Sequence, residues 1–140
     1  MRGILIKPEM NLAIREGCKA QTRRIEKCLV EINKAPNLWQ WIGHDQAGRF
    51  SFRFDPSGDV YNYFPRYRVG EVVYVKEAWS TWGYPESPFY KGEIGIDDDG
   101  IAWHSSMMMP EKYARIFLKI LDVKPQRLQS MTEQEAKAEG

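Results

Sequence analysis

One stretch of the chain alternates strictly between aromatic and polar residues, and it limits the possible folds more than any other feature. From Arg49 to Phe54 every second residue is phenylalanine, and a cluster of Asp, Pro, Ser and Gly follows at 55–59. A period of two residues is typical of a strand with one buried face, and the cluster favours a turn. Because 60–64 is again β-branched and aromatic, the sequence predicts a β-hairpin over 49–64.

Short strands and short helices are predicted in the rest of the chain. Apolar or β-branched runs predict strands at residues 3–7, 24–32, 72–76 and 114–123, with 72–76 in a central position. Pro8 suits the first turn of a helix over about 8–16, and Thr132 with Glu135 forms a capping box before another helix. This mixture predicts an α+β domain or a mixed barrel.

Length and composition predict one domain in the cytoplasm. The 140 residues are 43% hydrophobic, which suits a single domain with one core over 1–140. No apolar run approaches the ~20 residues that span a membrane, and we find no secretion signal. Cys18 and Cys28 are expected to be free thiols in a reducing compartment. With a net charge of +1, any basic site has to be local.

A dense group of cationic and hydroxyl side chains follows the predicted first helix. Gly17 suits the end of that helix because glycine takes left-handed backbone, and Lys19, Thr22, Arg23 and Arg24 follow within seven residues. Lysine and arginine donate to phosphate, carboxylate or carbonyl oxygens. A threonine beside a lysine is a candidate nucleophile with its base. By spacing alone a solvated basic loop is the alternative, since charge runs usually lie on the surface.

The same segment resembles the G-x-K-x-x-T-x-R signature of the ASCH family. The pattern positions are held by Gly17, Lys19, Thr22 and Arg24. Four more blocks resemble the family, in particular its phage-encoded members, and they come in the family's order: residues 4–10, 70–79, 103–116 and 128–140. The five blocks together cover about half of the chain.

The resemblance implies a PUA-like mixed β-barrel with short flanking helices, formed by a single domain over 1–140. Residues 29–69 and 80–102 carry no resemblance, so 39–69 and 80–102 are expected to be family-variable insertions. Family members usually continue past the closing Glu-Gly pair with more helix and a final apolar strand. The chain is therefore expected to lack that closing strand or to close its barrel in another way.

The resemblance also implies a cytoplasmic, phage- or prophage-derived protein that binds RNA or a nucleoside in a cationic barrel cleft. Some members hydrolyse the amide of N4-acetylcytidine, with no metal or organic cofactor. In that role Thr22 attacks the acetyl carbonyl, Lys19 takes the hydroxyl proton, Glu139 (or Glu77) tunes the lysine, and Arg24 holds the substrate. A non-catalytic RNA-binding module and a ribonuclease stay open as alternatives, and so does the oligomeric state.

Three more residues are candidates for substrate binding: Arg23, Glu77 and Trp79. Alternation along the 72–76 strand places Glu77 on the same face as the valines. If that face is interior, the carboxylate needs a cationic partner, for which Lys19 or Arg24 is the natural candidate. The alternative is a strand that ends earlier and leaves Glu77 in solvent.

Aromatic residues between 39 and 67 are interleaved with arginines at positions 49, 53 and 66, and a further arginine stands at 68. Rings that stack on bases and guanidiniums that bind phosphates are how proteins hold single strands. A hydrophobic core is the alternative for most of these rings, because an alternating strand has to bury one face.

No metal site is predicted. The run Asp97-Asp98-Asp99-Gly100 has residue types of a calcium loop, but Met108 stands at the twelfth position, where a glutamate is required. A hairpin turn is the favoured interpretation. His44 and His104 are isolated and lack the spacing of zinc ligands.

Overall fold

The chain folds as a mixed α+β protein, in agreement with the predicted class. The computed structural model describes residues 1–83, 86–91, 93 and 100–139. Contacts within the chain cluster into two compact units. Unit 1 consists of Met1–Thr22, Val72–Lys119 and Glu133–Gly140, and unit 2 consists of Arg23–Glu71 and Ile120–Thr132. The expected single domain stays a prediction.

Eight short strands and three short helices are found among the described residues. In chain order they are β1 (Arg2–Leu5), α1 (Pro8–Arg15), α2 (Val30–Lys34), β2 (Trp39–His44), β3 (Phe50–Phe54), β4 (Val60–Tyr63), β5 (Val72–Lys76), β6 (Trp79–Ser80), β7 (Phe89–Tyr90), β8 (Phe117–Lys119) and α3 (Glu133–Glu139). Single 3-10 turns lie at Lys27–Leu29, Pro36–Leu38, Ser106–Met108, Glu111–Tyr113 and Leu128–Ser130.

Strand β5 is the centre of the sheet in unit 1, as its β-branched sequence predicts. The strand order is β1-β5-β8, with β1 parallel and β8 antiparallel to β5. Ile4 of β1 pairs with Val75 of β5, and the side chains of Ile4, Val73 and Val75 are buried. Tyr74 on the other face is buried as well, which is expected of a strand covered on both sides.

Helix α1 follows β1 directly, and the basic segment, residues 17–22, follows its carboxyl end. Pro8 occupies its first turn, Glu9 lies near its positive end and Arg15 near its negative end. The predicted bounds of about 8–16 are confirmed to within one residue. Helix α3 begins at Glu133, directly after the predicted cap Thr132.

Unit 2 is built on an antiparallel meander of β2, β3 and β4, which confirms the predicted hairpin. Phe50 and Phe52 point from β3 into a small core, where they pack against Ile32 of α2. The opposite face of β3 carries buried Ser51 and exposed Arg53, and Arg49 directly precedes the strand. Strand β2 lies in a segment for which the sequence predicted only a variable insertion.

Two predicted strands differ from the observed elements. Residues 24–32 were expected to be extended, yet Lys27–Leu29 is a 3-10 turn and α2 follows it. The strand predicted over 114–123 is limited to the three residues of β8. Among the described residues the strands form three separate sheets and no closed barrel. The turn predicted at 97–100 lies largely outside the described residues.

Candidate functional site

The basic segment 17–22 leaves the carboxyl end of α1 through a tight backbone turn. Gly17 has a φ of 75°, in the left-handed region that ends many helices. The amides of Cys18 and Lys19 both donate to the carbonyl of Ala13, at 2.8 and 3.0 Å. These bonds satisfy a carbonyl that the helix leaves open and fix the point at which Lys19 departs from α1.

Helix α3 is hydrogen-bonded to this segment through the backbone of Ala138. The carbonyl of Ala138 accepts from the amides of Ala20 and Gln21, both at 3.0 Å. The next residue along α3 is Glu139, which is half-buried. The end of α3 and the basic segment are therefore joined at the backbone.

The three predicted catalytic residues all lie in unit 1, on these two joined segments. Lys19 and Glu139 are half-buried, and Thr22 is exposed. Each of the three side chains is at least partly open to solvent, so a bound substrate can reach it. Their chemical roles stay predictions.

Arg23 and Arg24 open unit 2. Arg23 is half-buried, and its guanidinium donates to Oε1 of Gln126 at 3.2 Å. Arg24 is exposed. Their assignment to substrate binding stays a prediction.

A buried ion pair lies just beyond the end of β5. Glu77 is 2% exposed, so it is buried like the valines with which alternation grouped it, and the solvated alternative is wrong. Nε and Nη2 of Arg115 donate to its two oxygens at 2.9 Å each, and Nη1 of Arg115 donates to Glu93. Nδ2 of Asn11 in α1 donates to Oε1 of Glu77 at 3.3 Å. Both oxygens therefore have donors, as the burial of a carboxylate requires.

Sequence reasoning missed Arg115 as the partner of this glutamate. It favoured Lys19 or Arg24, whereas the cation that the structure shows beside the carboxylate is Arg115. The amide of Val75 donates to the carbonyl of Ile116 at 2.9 Å, and this pairing next to β8 carries Arg115 to the end of β5. Its position in the 103–116 block was a signal that the residue matters, but only the strand pairing shows what it contacts.

The surroundings of Arg115 hold its guanidinium in place. Burial by itself disfavours the charged form, but the hydrogen bonds and charges of Glu77 and Glu93 outweigh it and raise the pKa of Arg115. The guanidinium carbon lies 3.8 Å from the ring centroid of Tyr90. Burial raises the pKa of Tyr90, and its hydroxyl donates to the carbonyl of Tyr113 at 2.5 Å. The cluster therefore ties β5, β7 and the segment before β8 together.

Trp79 stands in an aromatic stack within unit 1. Its ring stacks on His104 with centroids 4.4 Å apart and lies 4.8 Å from the ring of Tyr113. Three buried polar atoms of this unit have no hydrogen-bond partner among the residues that the structure describes: Nε1 of Trp79, Nε1 of Trp103 and Oδ1 of Asn11. Such atoms usually bind water or a ligand. The role of Trp79 in substrate binding stays a prediction.

Unit 2 carries a surface that we call the aromatic–arginine surface, made of Arg49, Phe64, Arg66, Tyr67 and Arg68. The guanidinium carbons of Arg49 and Arg68 lie 5.4 and 5.8 Å from the ring centroid of Phe64. That of Arg66 lies 5.5 Å from the ring of Tyr67. Phe64 is nevertheless 56% exposed. Of the aromatics of this region that were expected to be mostly core, Phe50 and Phe52 are buried, whereas Trp41, Tyr61 and Phe64 are exposed.

Two grooves border this surface. One, of about 400 Å³, is lined by Phe64 and Arg66 together with residues 25–28. The other, of about 450 Å³, is lined by Tyr67 and Arg68 together with residues 44–48 and several apolar neighbours. Segment 64–68 thus contributes side chains to both grooves.

No group of three or more His, Cys, Asp or Glu residues in the described ranges is arranged to hold a metal ion. The aspartates at 97–99, which raised the question of calcium, lie outside those ranges. Within the same ranges no helix has both the length and the apolar character needed to cross a membrane.

Comparison of the chain with known family models, with curated proteins and with solved structures finds no match. The geometry described above is therefore the basis for any assignment of function beyond the motif resemblance.

Proposed function

We propose that the chain is an ASCH-type protein that binds RNA or a modified nucleoside and hydrolyses the amide of N4-acetylcytidine. The fold that we propose for it is a PUA-like mixed barrel. The small mixed sheet β1-β5-β8 and the short helices next to it support this fold. The five motif blocks support the family.

One observation carries the catalytic part of the proposal. The Ala138 carbonyl accepts two backbone hydrogen bonds from residues 20 and 21, which lie between Lys19 and Thr22. The neighbouring Glu139 is therefore held on a segment bonded to the one that carries the proposed nucleophile and base. This proximity joins residues that are more than 110 positions apart in the sequence.

The reaction follows from the chemistry of these side chains. Oγ of Thr22 attacks the acetyl carbonyl carbon while the amine of Lys19 accepts the hydroxyl proton. The carbon–nitrogen bond then breaks, and the Lys19 ammonium returns the proton to the exocyclic nitrogen, so that cytidine leaves. Water hydrolyses the acetyl-threonine ester, which releases acetate and restores the hydroxyl. Glu139 positions the amine of Lys19 through these steps.

Glu139 fits the carboxylate role better than Glu77. Both oxygens of Glu77 accept hydrogen bonds from Arg115, and one of them also accepts from Asn11. A carboxylate so fully used within the protein is suited to holding α1 and β5 in place. Glu139 stands at the end of a helix that is bonded to the basic segment itself.

A second candidate function is RNA binding without catalysis. The aromatic–arginine surface of unit 2 favours it, because exposed rings beside guanidiniums suit stacked bases and phosphates. This function does not need the hydroxyl of Thr22.

Incubation with N4-acetylcytidine, followed by chromatography of the products, tests the proposal. We expect cytidine and acetate in equal amounts, with the same rate in the presence of a metal chelator. N4-methylcytidine, which has no amide, is the matched control and should stay intact. Absence of cytidine release contradicts the amidohydrolase, and cleavage of an added short RNA supports the ribonuclease instead.

A further inference from the structure

We propose that the aromatic–arginine surface of unit 2 is a binding site for single-stranded RNA. This inference rests on the proposed function and deepens it, since it names the partner and the part of the chain that holds it. The surface lies in a region with no family resemblance, where the interleaved rings and arginines left single-strand binding and a hydrophobic core open as alternatives.

The first ground is an exposed ring set among guanidiniums. Phe64 exposes 56% of its surface while Arg49 and Arg68 lie within 6 Å of its ring centroid. The exposed face of the ring is therefore available to a stacking partner. A base stacked on the ring covers this apolar area, and the guanidinium of Arg68 beside it offers donors to phosphate oxygens, whereas that of Arg49 also pairs with Asp45.

The second ground is the shape of the surface. The side chains of segment 64–68 line two grooves, of about 400 and 450 Å³. Clefts of this size hold small-molecule ligands, so each groove has room for a nucleotide-sized group. Phe64 and Arg66 face the first groove, and Tyr67 and Arg68 face the second. Each groove therefore has a ring and a cation, the pairing that holds nucleotides, and each also has one carboxylate, Glu26 in the first and Asp45 in the second.

The third ground is charge. Unit 2 has ten Lys and Arg against seven Asp and Glu, a balance of +3, whereas the whole chain has only +1. Arg53, on the face of β3 opposite the phenylalanines, is a further exposed cation of this unit. This excess of positive charge complements a phosphate backbone. Duplexes do not offer their base faces to such rings, so we infer a single strand.

The experiment measures fluorescence anisotropy of a labelled oligouridine of about 12 nucleotides, titrated with the full chain at several salt concentrations. The matched probes are the same length of single-stranded DNA and a duplex RNA. Phe64→Ala removes the ring and Phe64→Trp keeps one. Arg68→Gln removes one charge of the surface. Lys34→Gln removes an equal charge from α2, which packs on the opposite face of the sheet.

We expect the wild type to bind the RNA strand more tightly than the duplex RNA, whose stacked bases are closed to Phe64. Phe64→Ala should weaken binding by roughly 5- to 150-fold, whereas Phe64→Trp should keep it. Arg68→Gln should reduce the salt slope of log Kd by about 0.7, and Lys34→Gln should leave both slope and affinity unchanged. Melting temperatures of all variants verify that the fold is retained.

Several results overturn the inference. The first is that the wild type does not bind the RNA strand, and the second is that Phe64→Ala binds it as tightly as the wild type. The third is that Lys34→Gln weakens binding as much as Arg68→Gln. The fourth is that the wild type binds the DNA strand more tightly than the RNA strand. Self-association of the chain at the same concentrations, without RNA binding, assigns the surface to a second copy and contradicts the proposal. The oligouridine probe carries no acetylated base. Failure of RNA binding and failure of amide hydrolysis can therefore be told apart.

Discussion

The carboxylate of Glu77 receives two parallel hydrogen bonds from the guanidinium of Arg115, each 2.9 Å long. The same carboxylate accepts from Asn11, which belongs to α1. The helix that carries the basic segment at its end is therefore anchored to a buried ion pair. Within unit 1 this connects the stability of the sheet to the position of Lys19 and Thr22.

Removal of Arg115 is expected to be strongly destabilising. Arg115→Ala leaves the buried carboxylate of Glu77 without its main partner, which typically costs about 3–5 kcal/mol of unfolding free energy. Arg115→Lys should recover only part of the loss, because an ammonium lacks the bidentate geometry. Urea denaturation measures both. Glu77→Gln, which removes the buried charge and keeps the shape, is the control and should cost less. An unfolding free energy for Arg115→Ala within about 0.5 kcal/mol of wild type contradicts this account of the pair.

Gly17 is expected to matter through its backbone conformation. Its φ is 75°, and a Cβ added there meets no atom within 4 Å, so any cost of substitution comes from backbone strain. Gly17→Ala should lower the unfolding free energy by about 1–2 kcal/mol. Gly17→Asn should lower it less, because asparagine tolerates left-handed backbone. Equal melting temperatures for the two variants would show that the left-handed turn is not what the position requires.

The β2–β3 turn should respond to acid through Asp45. Its Oδ1 accepts from the amides of Ala47 and Arg49, and Oδ2 accepts from the Arg49 guanidinium. The amide hydrogen bond of Arg49 is the largest cause that lowers the pKa of Asp45. A lowered folded-state pKa gives stability that is present above the unfolded value of about 3.9 and is lost as the pH falls through the folded value.

Asp45→Asn isolates this effect. The variant should be less stable than wild type at about pH 7, and the difference should shrink as the pH falls below the unfolded value of about 3.9. Urea denaturation of both proteins across this range measures it. A difference that stays constant with pH contradicts a role for the ionised carboxylate.

The two cysteines should differ in reactivity. Cys18 is exposed and Cys28 is half-buried. Burial, followed by the charge of Glu26, raises the pKa of Cys28, so fewer thiolates form at a given pH. At about pH 8, a disulfide reagent should label Cys28→Ser, which retains Cys18, faster than Cys18→Ser. In denaturant the two rates should converge. Equal rates in the folded protein would mean that Cys28 is open to solvent.

Elements with strong local signals were predictable from the sequence. Pro8 and Gly17 delimit α1, the phenylalanines of 50–54 set the hairpin, and the β-branched run of 72–76 gives the central strand. In each case the side-chain pattern and the turn residues agree, so the local preference is enough to fix the element.

Elements that depend on distant partners were not predictable. The weak alternation of 24–32 predicted a strand, yet Ile25 is 92% exposed while Ile32 is buried. Ile32 packs on Phe50 from a helix, so this distant contact determines the element. In β2 the register shifts between Trp41 and Gly43, which hides the strand from a period-two pattern.

The same limit applies to the site. The grouping of Glu77 with the buried valines followed from alternation, but its partner Arg115 follows only from the pairing near β8. The contact between Ala138 and the basic segment likewise joins the two ends of the chain. No local pattern encodes either relationship.

The most direct test of the proposed catalysis measures deacetylation of N4-acetylcytidine and melting temperature on the same variant, Thr22→Val. Valine keeps the shape of threonine and removes the hydroxyl, so we predict an unchanged melting temperature and no turnover, with a similar loss for Lys19→Ala because the two residues act as a unit. If Thr22 only shapes the turn, the variant should lose about 0.5–2 kcal/mol of stability and keep its rate. Full turnover with a lowered melting temperature would contradict the assignment of Thr22 as the nucleophile.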